Sequence, residues 1–337
     1  MNLSRAYSIV YREELSVGRV QTPTLAMVVD RELALRRFVS EDYIEVVATF
    51  QGRGNTNKER YQGTWFRSQT GSSKDAQANM SRLPADGEEA NSILLRAHAG
   101  EAVIESLSSE TQRFQSPLLY DLTELQRHAN RLFGFSAQQT LDTAQALYER
   151  HKLISYPRTD SRHLSADVAA TASSIVAAVS ASYEKQLAAG TGERPLGRRY
   201  VDDSKVSDHH AIIPNAVSAE KVQLTGEERK IYDLICRRFL MMWHDDFLQA
   251  VTTVMTAITH EKIVDRYRTT GTVVEQMGWK VLDIGAEGRK PETKGSTEEK
   301  APEQILPVTV ARGQLQDVVD IADGRTNFGR ERAIGGK

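Results

Sequence analysis

The 337 residues carry a net charge of −2, with 40% hydrophobic and 26% charged side chains. This balance is typical of a globular protein of two or three domains, and it excludes a chain that binds nucleic acid through overall positive charge. The single cysteine, Cys236, excludes a disulfide framework and a CxxC zinc site. Because no apolar run reaches membrane-spanning length and no signal peptide opens the sequence, we expect a cytoplasmic protein.

The first third of the chain is predicted to pass from helix to strand. Pro23 stands where it can open a helix, with Thr22 as its cap. Alternating β-branched residues at 43–50 predict a strand, and residues 102–107 predict another. The polar stretch 52–86 predicts an exposed loop or hairpin region between them.

The middle of the chain is predicted to be helical. Apolar residues recur at helical spacing over 122–132, and Ser136 begins a capping-box pattern for the next helix. Pro157 disfavours helix at Tyr156, so Tyr156 is expected on an extended segment just after that helix. A second capping box at 225–228 predicts a further helix.

The last third is predicted to return to strand. Residues 249–258 have β-branched character, and a partner strand is expected at about 272–282. The charged tract 285–304 predicts a flexible loop, and 327–337 predicts a frayed end. Strands on both sides of a helical block predict an α+β multidomain protein, with a helical domain inserted in a β-rich one.

The segment Leu-Ile-Ser-Tyr-Pro-Arg-Thr-Asp-Ser-Arg at 153–162 is the most informative for chemistry. Tyr156 is a candidate nucleophile, although the ordinary pKa of a phenol is about 10. Arg158 can stabilise the developing phenolate and neutralise a phosphodiester oxygen. From the residues alone, a structural tyrosine beside a surface Arg–Asp pair is the more common alternative.

Two other polar segments are candidate phosphate contacts. In Asp-His-His-Ala-Ile-Ile-Pro at 208–214, His209 or His210 can hydrogen-bond a phosphate or protonate a leaving oxygen. Arg19 and Gln21 stand just before a helix, where phosphates dock. The sequence has no GxxxxGK[ST] motif, so ATP-driven chemistry has no support.

These segments, together with three others in the same order along the chain, resemble the type IA DNA topoisomerases of the topoisomerase III kind. The matching segments are Ser-Val-Gly-Arg-Val-Gln-Thr-Pro (16–23), Tyr-Asp-Leu-Thr-Glu-Leu-Gln-Arg (120–127), Gly-Phe-Ser-Ala-Gln-Gln-Thr-Leu (134–141), Ala-Gln-Ala-Leu-Tyr-Glu (144–149), Leu-Ile-Ser-Tyr-Pro-Arg-Thr-Asp-Ser (153–161) and Asp-His-His-Ala-Ile-Ile-Pro (208–214). The resemblance spans roughly residues 1–316. A tyrosine recombinase is a weaker alternative, because its tyrosine lies near the C-terminus and Tyr156 lies mid-chain.

The resemblance implies a toroidal enzyme that cleaves single-stranded DNA, passes a second strand through the gap and reseals it without ATP. Tyr156 would form a 5′-phosphotyrosine, Arg158 would hold the scissile phosphate, and His209 would match the family's catalytic histidine. The resemblance also implies supporting roles for Gln145, Glu149, Thr159 and Asp160, and DNA contacts for Arg19, Gln21 and Ser155.

The family layout implies five segments. Residues 1–41 and 279–337 would form a base (gate) domain, and residues 42–112 and 246–278 a β-rich hinge domain. Residues 113–245 would form the helical domain that carries the nucleophile.

Two departures from the family qualify this reading. The N-terminal Toprim domain, with its glutamate and its Asp-x-Asp-x-Glu site for Mg²⁺, has no counterpart in the sequence, and residues 324–337 match nothing in the family. We therefore expect no metal ligands in this chain, and we expect cleavage to need a Toprim-containing partner or upstream segment. The expected setting is the nucleoid in the cytoplasm, with no membrane contact.

An alternative from another functional class is a non-catalytic remnant that only binds single-stranded DNA. Such a protein would use its arginines together with aromatic side chains such as Tyr120, Phe133 and Tyr148, on which bases can stack. Formation or absence of a covalent adduct with DNA separates the two hypotheses.

Overall fold

The structure is a computed structural model that describes residues 3–39, 41–54, 59–67, 80–284, 306–307 and 310–328. The chain divides into two compact units, and each is described by itself. The first comprises Met1–Ser108, Thr252–Gly271 and Lys294–Lys337, and the second comprises Ser109–Val251 and Thr272–Thr293. The loop predicted at 285–304 and most of the frayed end predicted at 327–337 lie outside the described residues. The five-segment division of the chain stays a prediction.

A seven-stranded sheet dominates the first unit. Its strands are β1 (Glu41–Gly52), β2 (Arg60–Phe66), β3 (Leu83–Pro84), β4 (Glu101–Phe114), β5 (Phe247–His260), β6 (Ile263–Gln276) and β7 (Leu315–Phe328). They follow the order β2-β6-β5-β4-β7-β1-β3, and β1 also pairs with β2. Because β1 pairs with β7 on one edge and with β2 on the other, six of the strands close into a ring. The boundary between the two units falls within the strands β4, β5 and β6.

Alternating burial along β1 explains why it lies in the sheet. Ile44, Val46, Ala48 and Phe50 are fully buried, which confirms the predicted strand. Against them packs α3 (Glu88–Ala99), which buries Ala90, Ile93 and Ala97. The region 52–86, predicted as an exposed loop or hairpin, supplies the second strand of a β1–β2 hairpin. Its Tyr61 and Trp65 are buried, so the expectation of an exposed segment was wrong for β2.

The first unit also contains α1 (Leu3–Tyr11) and α2 (Gln21–Arg36), neither of which buries a side chain. The helix at Pro23 is confirmed, but its N-cap is Val20 without a side-chain hydrogen bond, so the predicted cap at Thr22 was wrong. The Thr22 hydroxyl instead accepts a hydrogen bond from the backbone of Gly18 at 3.1 Å. Among the described residues, no helix is both long and apolar enough to cross a membrane.

The second unit is largely helical, as predicted. It contains α4 (Leu122–Phe133), α5 (Ala137–Glu149), α6 (Ala166–Ala170), α7 (Ala172–Val179) and α8 (Gly226–Leu240). Ser136 caps α5, and Thr225 and Glu228 form a reciprocal capping box at α8. Helices α4, α5 and α8 enclose one apolar core, and α7 and α8 contribute to another that contains the buried Cys236.

The strand that pairs with β5 was misplaced in the sequence prediction. It is β6, which ends at Gln276, whereas residues 272–282 were expected; Gly278–Leu282 is a 3-10 turn. At Gly278 φ is +49°, and a Cβ there would lie within 2.4 Å of two backbone oxygens. A glycine is therefore required, and the strand cannot continue past it.

Candidate active site

Tyr156 lies on an extended segment, residues 153–162, here called the nucleophile segment. Beside it runs the histidine segment, residues 208–215. The N–H of Ser155 donates to the carbonyl of Ile213 at 2.9 Å, and Ile154 forms a β-bridge with Pro214. The Ser155 hydroxyl accepts from the Ile213 N–H at 3.0 Å and donates to the Ala211 carbonyl at 3.1 Å. Ser155 thus fixes the backbone next to the candidate nucleophile.

The turn from α5 into the nucleophile segment is held by its own polar contacts. Lys152 adopts φ +58°, a left-handed conformation that is costly for a residue with a side chain. The amide of Asn215 donates to the carbonyls of Lys152 at 2.8 Å and Ile154 at 3.0 Å. Leu153 and Ile154, which follow the turn, are fully buried. Packing and hydrogen bonds together stabilise the strained turn.

Thr159 ties the other end of the nucleophile segment to the histidine segment. Its buried hydroxyl donates to the carbonyl of His209 at 3.0 Å and accepts from the N–H of Ser161 at 3.1 Å. The Thr159 carbonyl accepts from the N–H of Leu122 at the start of α4. Asp160, between these anchored residues, is exposed. The segment is therefore fixed on both sides of Tyr156.

The ring of Tyr156 is half-buried between two other rings. The centroid of the His209 ring lies 4.4 Å away, and that of Tyr148 lies 5.5 Å away in an edge-to-face arrangement. The ammonium of Lys152 is 5.5 Å from the centroid of Tyr148. Such packing restricts the phenol to few orientations, which favours a nucleophile that must meet its target in one direction.

Arg158 is oriented by a chain of two hydrogen bonds along one face of α5. Its guanidinium donates to Gln145 Oε1 at 2.9 Å, and Gln145 Nε2 donates to Glu149 Oε1 at 2.8 Å. Gln145 and Glu149 are one helical turn apart, so their side chains lie on the same face. Arg158 is exposed, and its remaining N–H groups can bind a phosphate.

The two adjacent histidines have different environments. His209 is exposed and packs against Tyr156, whereas His210 is partly buried. The Nδ1 of His210 lies 2.7 Å from the Ala211 carbonyl; because a carbonyl only accepts, Nδ1 carries the hydrogen. Burial lowers the pKa of His210 below its ordinary value, which favours the neutral ring.

The second unit thus brings most of the predicted site residues together, although their catalytic roles stay predictions. His209 contacts Tyr156 through its ring and Thr159 through its carbonyl, and Ser155 bonds to the histidine segment at Ala211. Arg158 of the same nucleophile segment bonds to Gln145, which bonds to Glu149. Arg19 and Gln21 belong to the first unit and are exposed.

Sequence reasoning misjudged Tyr120 and missed Asn215. Tyr120 was expected as a surface for stacked bases under the remnant hypothesis, but it is 1% exposed, and its hydroxyl contacts His128 and Arg238. Its carbonyl accepts from the N–H of Ile212, so it supports the histidine segment from inside. Asn215 follows directly on the Ile-Ile-Pro sequence, and its amide could have signalled a turn-holding role.

Magnesium, which the family resemblance implies, does not fit the residues described. No three histidine, cysteine, aspartate or glutamate side chains within the described ranges lie close enough to hold a metal ion. No step proposed below therefore passes through a metal ion.

Comparison with known proteins gives one consistent result. The profile of a protein family described as DNA topoisomerase matches residues 1–324. The chain is 36% identical to DNA topoisomerase 3 of Bacillus cereus strain E33L over 309 residues, which is 91% of this chain and 39% of that protein. It is also 36% identical to DNA topoisomerase 3 of Bacillus subtilis strain 168 over 296 residues, 87% of this chain and 38% of that protein. The chain thus spans less than two fifths of the length of these relatives.

A solved structure shows the same fold. It is full-length topoisomerase I from Thermotoga maritima, which superposes with a TM-score of 0.62 at 22% identity. The match covers 97% of this chain and 47% of that one.

Proposed function

Because the chain belongs to the DNA topoisomerase family, we propose that it carries the nucleophile half of a type IA active site of the topoisomerase III kind. One observation carries the proposal. Tyr156 and His209 lie with their ring centroids 4.4 Å apart, and Arg158, two residues after Tyr156, is oriented by Gln145. A nucleophile, a group that can move a proton and a cation for phosphate are what phosphodiester cleavage needs.

The proposed reaction is a transesterification. The Tyr156 oxygen attacks a backbone phosphorus of single-stranded DNA and loses its proton, while the bond from phosphorus to the 3′ oxygen breaks. One phosphate ester replaces another, so a 5′-phosphotyrosine and a 3′-hydroxyl form and resealing needs no ATP. Arg158 neutralises a non-bridging oxygen. His209 hydrogen-bonds the phosphate or protonates the departing oxygen.

The remaining requirements concern groups that these residues do not supply. Mg²⁺, which the family resemblance implies, would need ligands from outside the described residues, such as those of a Toprim domain, and would help to neutralise the phosphate there. Strand passage would need the complete enzyme, with the nucleoid as its place of action.

Ser155 would keep the scissile strand in register with Tyr156, and Arg19 and Gln21 would bind the strand's phosphates.

The test is a covalent-adduct assay with an end-labelled single-stranded oligonucleotide and Mg²⁺, with and without an added Toprim domain from a relative. We expect a DNA–protein adduct on a denaturing gel only when the Toprim domain is present, and none from Tyr156→Phe. Tyr148→Phe is the matched control, because its ring packs on Tyr156 and it should retain the adduct.

Two results would contradict the proposal. An adduct formed by the 337 residues alone would refute the dependence on Toprim, and an adduct that survives Tyr156→Phe would refute the nucleophile. Binding without any adduct under both conditions would favour the non-catalytic remnant. The partly exposed rings of Tyr148 and Tyr156, with the Lys152 ammonium 5.5 Å from the Tyr148 centroid, are what favour that second candidate. In either case binding should weaken as salt is added.

A further inference from the structure

Two adjacent arginines of α8 each lie over the ring of a buried tyrosine in the second unit. The guanidinium carbon of Arg237 is 5.1 Å from the ring centroid of Tyr183, and that of Arg238 is 4.0 Å from the centroid of Tyr120. Each tyrosine hydroxyl also bonds to a side chain of α8, Tyr183 to Asp233 and Tyr120 to Arg238. The two pairs are alike in chemistry, and the cleavage reaction proposed above uses neither of them.

The hydroxyl of Tyr120 belongs to a buried hydrogen-bond network with Arg238 and His128, here called the Tyr120 network. It accepts from Nη2 of Arg238 at 3.1 Å and contacts Nδ1 of His128. The same Nη2 lies 3.4 Å from Nδ1, and because a guanidinium only donates, Nδ1 carries a lone pair. Tyr120 therefore donates its hydrogen to His128. Burial raises the pKa of Tyr120 above its ordinary value, so the hydroxyl keeps that hydrogen.

The backbone around Tyr120 contacts both halves of the candidate site. Residues 118–122 are here called the bridging segment. The Tyr120 carbonyl accepts from the N–H of Ile212 in the histidine segment at 2.8 Å, and these two residues form a β-bridge. The Leu122 N–H donates to the carbonyl of Thr159 in the nucleophile segment at 3.0 Å. The position of the bridging segment therefore affects both segments.

Two arginines bind the other carbonyls of the bridging segment. Arg238 donates to the Leu118 carbonyl at 2.9 Å, in addition to the Tyr120 hydroxyl. Arg162, at the end of the nucleophile segment, donates to the Leu119 carbonyl at 3.0 Å. Because Arg238 is buried, water competes little for its hydrogen bonds. One arginine of α8 thus fixes both the backbone and a side chain of the bridging segment.

We propose that the Tyr120 network positions His209 against Tyr156. The inference rests on the proposed function, because a nucleophile and a group that moves its proton must keep one geometry to react. Tyr120 is buried and touches no reacting atom, so it is a positioning residue. It acts through Ile212, three residues after His209 in the histidine segment. Without the hydroxyl the bridging segment can shift, and the histidine segment shifts with it.

The test compares Tyr120→Phe with Tyr183→Phe in the 337-residue chain. Each substitution removes one buried hydroxyl and keeps the ring, and the Tyr183 hydroxyl donates to Asp233 at 2.6 Å. Each should lower the melting temperature by about 2–6 °C, the effect of about one hydrogen bond. Tyr183→Phe is therefore the control for lost stability. All further measurements are made well below both melting temperatures.

The first readout is the contact between the rings of His209 and Tyr156, which needs no DNA. The ring current of Tyr156 displaces the NMR signal of the His209 Cε1–H group, because the two centroids are 4.4 Å apart. The displacement is the shift difference between each chain and the same chain with Tyr156→Leu, and His209→Gln assigns the signal. We expect Tyr120→Phe to change the displacement by more than about half and Tyr183→Phe to leave it unchanged.

The second readout is cleavage, with the Toprim domain supplied as in the adduct assay. Tyr120→Phe should slow adduct formation by about tenfold, because a small misplacement of a catalytic group suffices for such a loss. Its affinity for the single-stranded oligonucleotide should stay within about twofold of the wild type, since a buried tyrosine does not touch DNA. Tyr183→Phe should change neither the rate nor the affinity.

A changed displacement and a slower rate in Tyr120→Phe alone support the proposal. An unchanged displacement in Tyr120→Phe overturns it. Equal changes in both variants also overturn it, because lost stability alone would then explain them. If the wild-type chain forms no adduct under any condition, the proposed function fails, and the displacement alone decides whether Tyr120 positions His209.

Discussion

The nucleophile segment and the start of α2, with Arg19 and Gln21, both carry residues predicted to contact phosphate, yet the structure holds the two regions in different ways. In the nucleophile segment, Leu153 and Ile154 are fully buried, and the hydroxyls of Ser155 and Thr159 tie it to the histidine segment. In α1 and α2 no side chain is buried. A family motif can therefore predict a site residue whether or not the surrounding residues fix its position.

The contrast extends to the apolar side chains of the two helices. Those exposed there are Leu3, Tyr7, Ile9, Val10, Tyr11, Leu25, Met27, Val28, Val29 and Leu33. Within the described residues, α2 thus depends on backbone hydrogen bonds and surface pairs such as Arg36 with Glu32 at 3.0 Å. Helices of this length are marginal in water without packing. We therefore expect substitutions to cost far more stability in the nucleophile segment than in α2.

The largest effect on stability is expected from Ile154→Ala. Ile154 is fully buried on the strand that leads to Tyr156, and removing its side chain leaves a cavity beside Leu147 and Leu153. The free energy of unfolding should fall by about 2–5 kcal/mol. Urea unfolding followed by circular dichroism measures it. A loss below about 1 kcal/mol would mean that packing does not hold the nucleophile segment. The nucleophile segment and α2 would then not differ in what stabilises them.

The next effect is expected from Arg158→Ala on the rate of adduct formation in the presence of a Toprim domain. If Arg158 stabilises the phosphate as proposed, its loss should slow cleavage by about 10²–10³-fold, equivalent to roughly 3–4 kcal/mol of barrier. Arg158→Lys should restore the rate in part, because a lysine keeps the charge without the planar fork. Since Arg158 is exposed, the urea unfolding curve of Arg158→Ala should coincide with that of the wild type. An unchanged rate of adduct formation would show that Arg158 does not assist cleavage.

A smaller, pH-dependent effect is expected from Glu228→Gln. The buried Glu228 carboxylate contacts Arg150 at 2.5 Å and His151 at 3.2 Å, just after α5, and accepts from the Thr225 N–H at 2.8 Å. Burial alone would raise its pKa, but the hydrogen bonds from Thr225 and His151 outweigh burial and lower it below the ordinary 4.5. Its stabilisation is therefore complete above pH 4.5 and is lost as the pH falls through the lowered pKa.

At neutral pH the Glu228→Gln variant should lose about 1–3 kcal/mol of unfolding free energy. As the pH falls below 4.5 and through the lowered pKa of Glu228, the difference between the variant and the wild type should shrink, because the glutamate becomes protonated. Urea unfolding over a pH series measures both the loss at neutral pH and its decrease as the pH falls. A difference that is independent of pH would show that the carboxylate charge does not stabilise the entry to the nucleophile segment.

The smallest effect is expected from Leu25→Ala, the counterpart of Ile154→Ala in α2. Leu25 is 63% exposed, so truncating it should change the free energy of unfolding by no more than about 0.5 kcal/mol. A loss of 2 kcal/mol or more, measured in the same urea series, would mean that this face of α2 is covered in solution. The two regions would then no longer differ in how they are held.

Local patterns sufficed for much of the fold. Period-two burial in β1 and the capping residues Ser136 and Thr225 are visible in the sequence because neighbouring residues determine them. The strand β6 was misplaced because Asp265 reads as a polar loop residue. Asp265 is buried only because Arg96 and Trp65, distant in sequence, donate hydrogen bonds to it. No local pattern contains that information.

The same limit applies to the candidate site. The residues Tyr156, Arg158 and His209 could be named from their motifs, and their roles stay predictions. The backbone pairing of Ser155 with Ile213 could not be predicted, because it joins segments that no local periodicity relates. Side-chain chemistry is readable from a motif, but the contacts that orient a side chain depend on tertiary packing.

The closed sheet also dictates an order of events during synthesis. Strand β1 is made early, but its longest pairing is with β7, which leaves the ribosome after all the other strands. Until then β1 has an open edge, and unpaired edges recruit strands of other chains. The largely helical stretch Ser109–Val251 is continuous in sequence and can fold before β7 has been synthesised. Closure of the ring is therefore a late step, because it pairs β1 with β7, which is far away in sequence. The nascent chain is most prone to aggregation before that step.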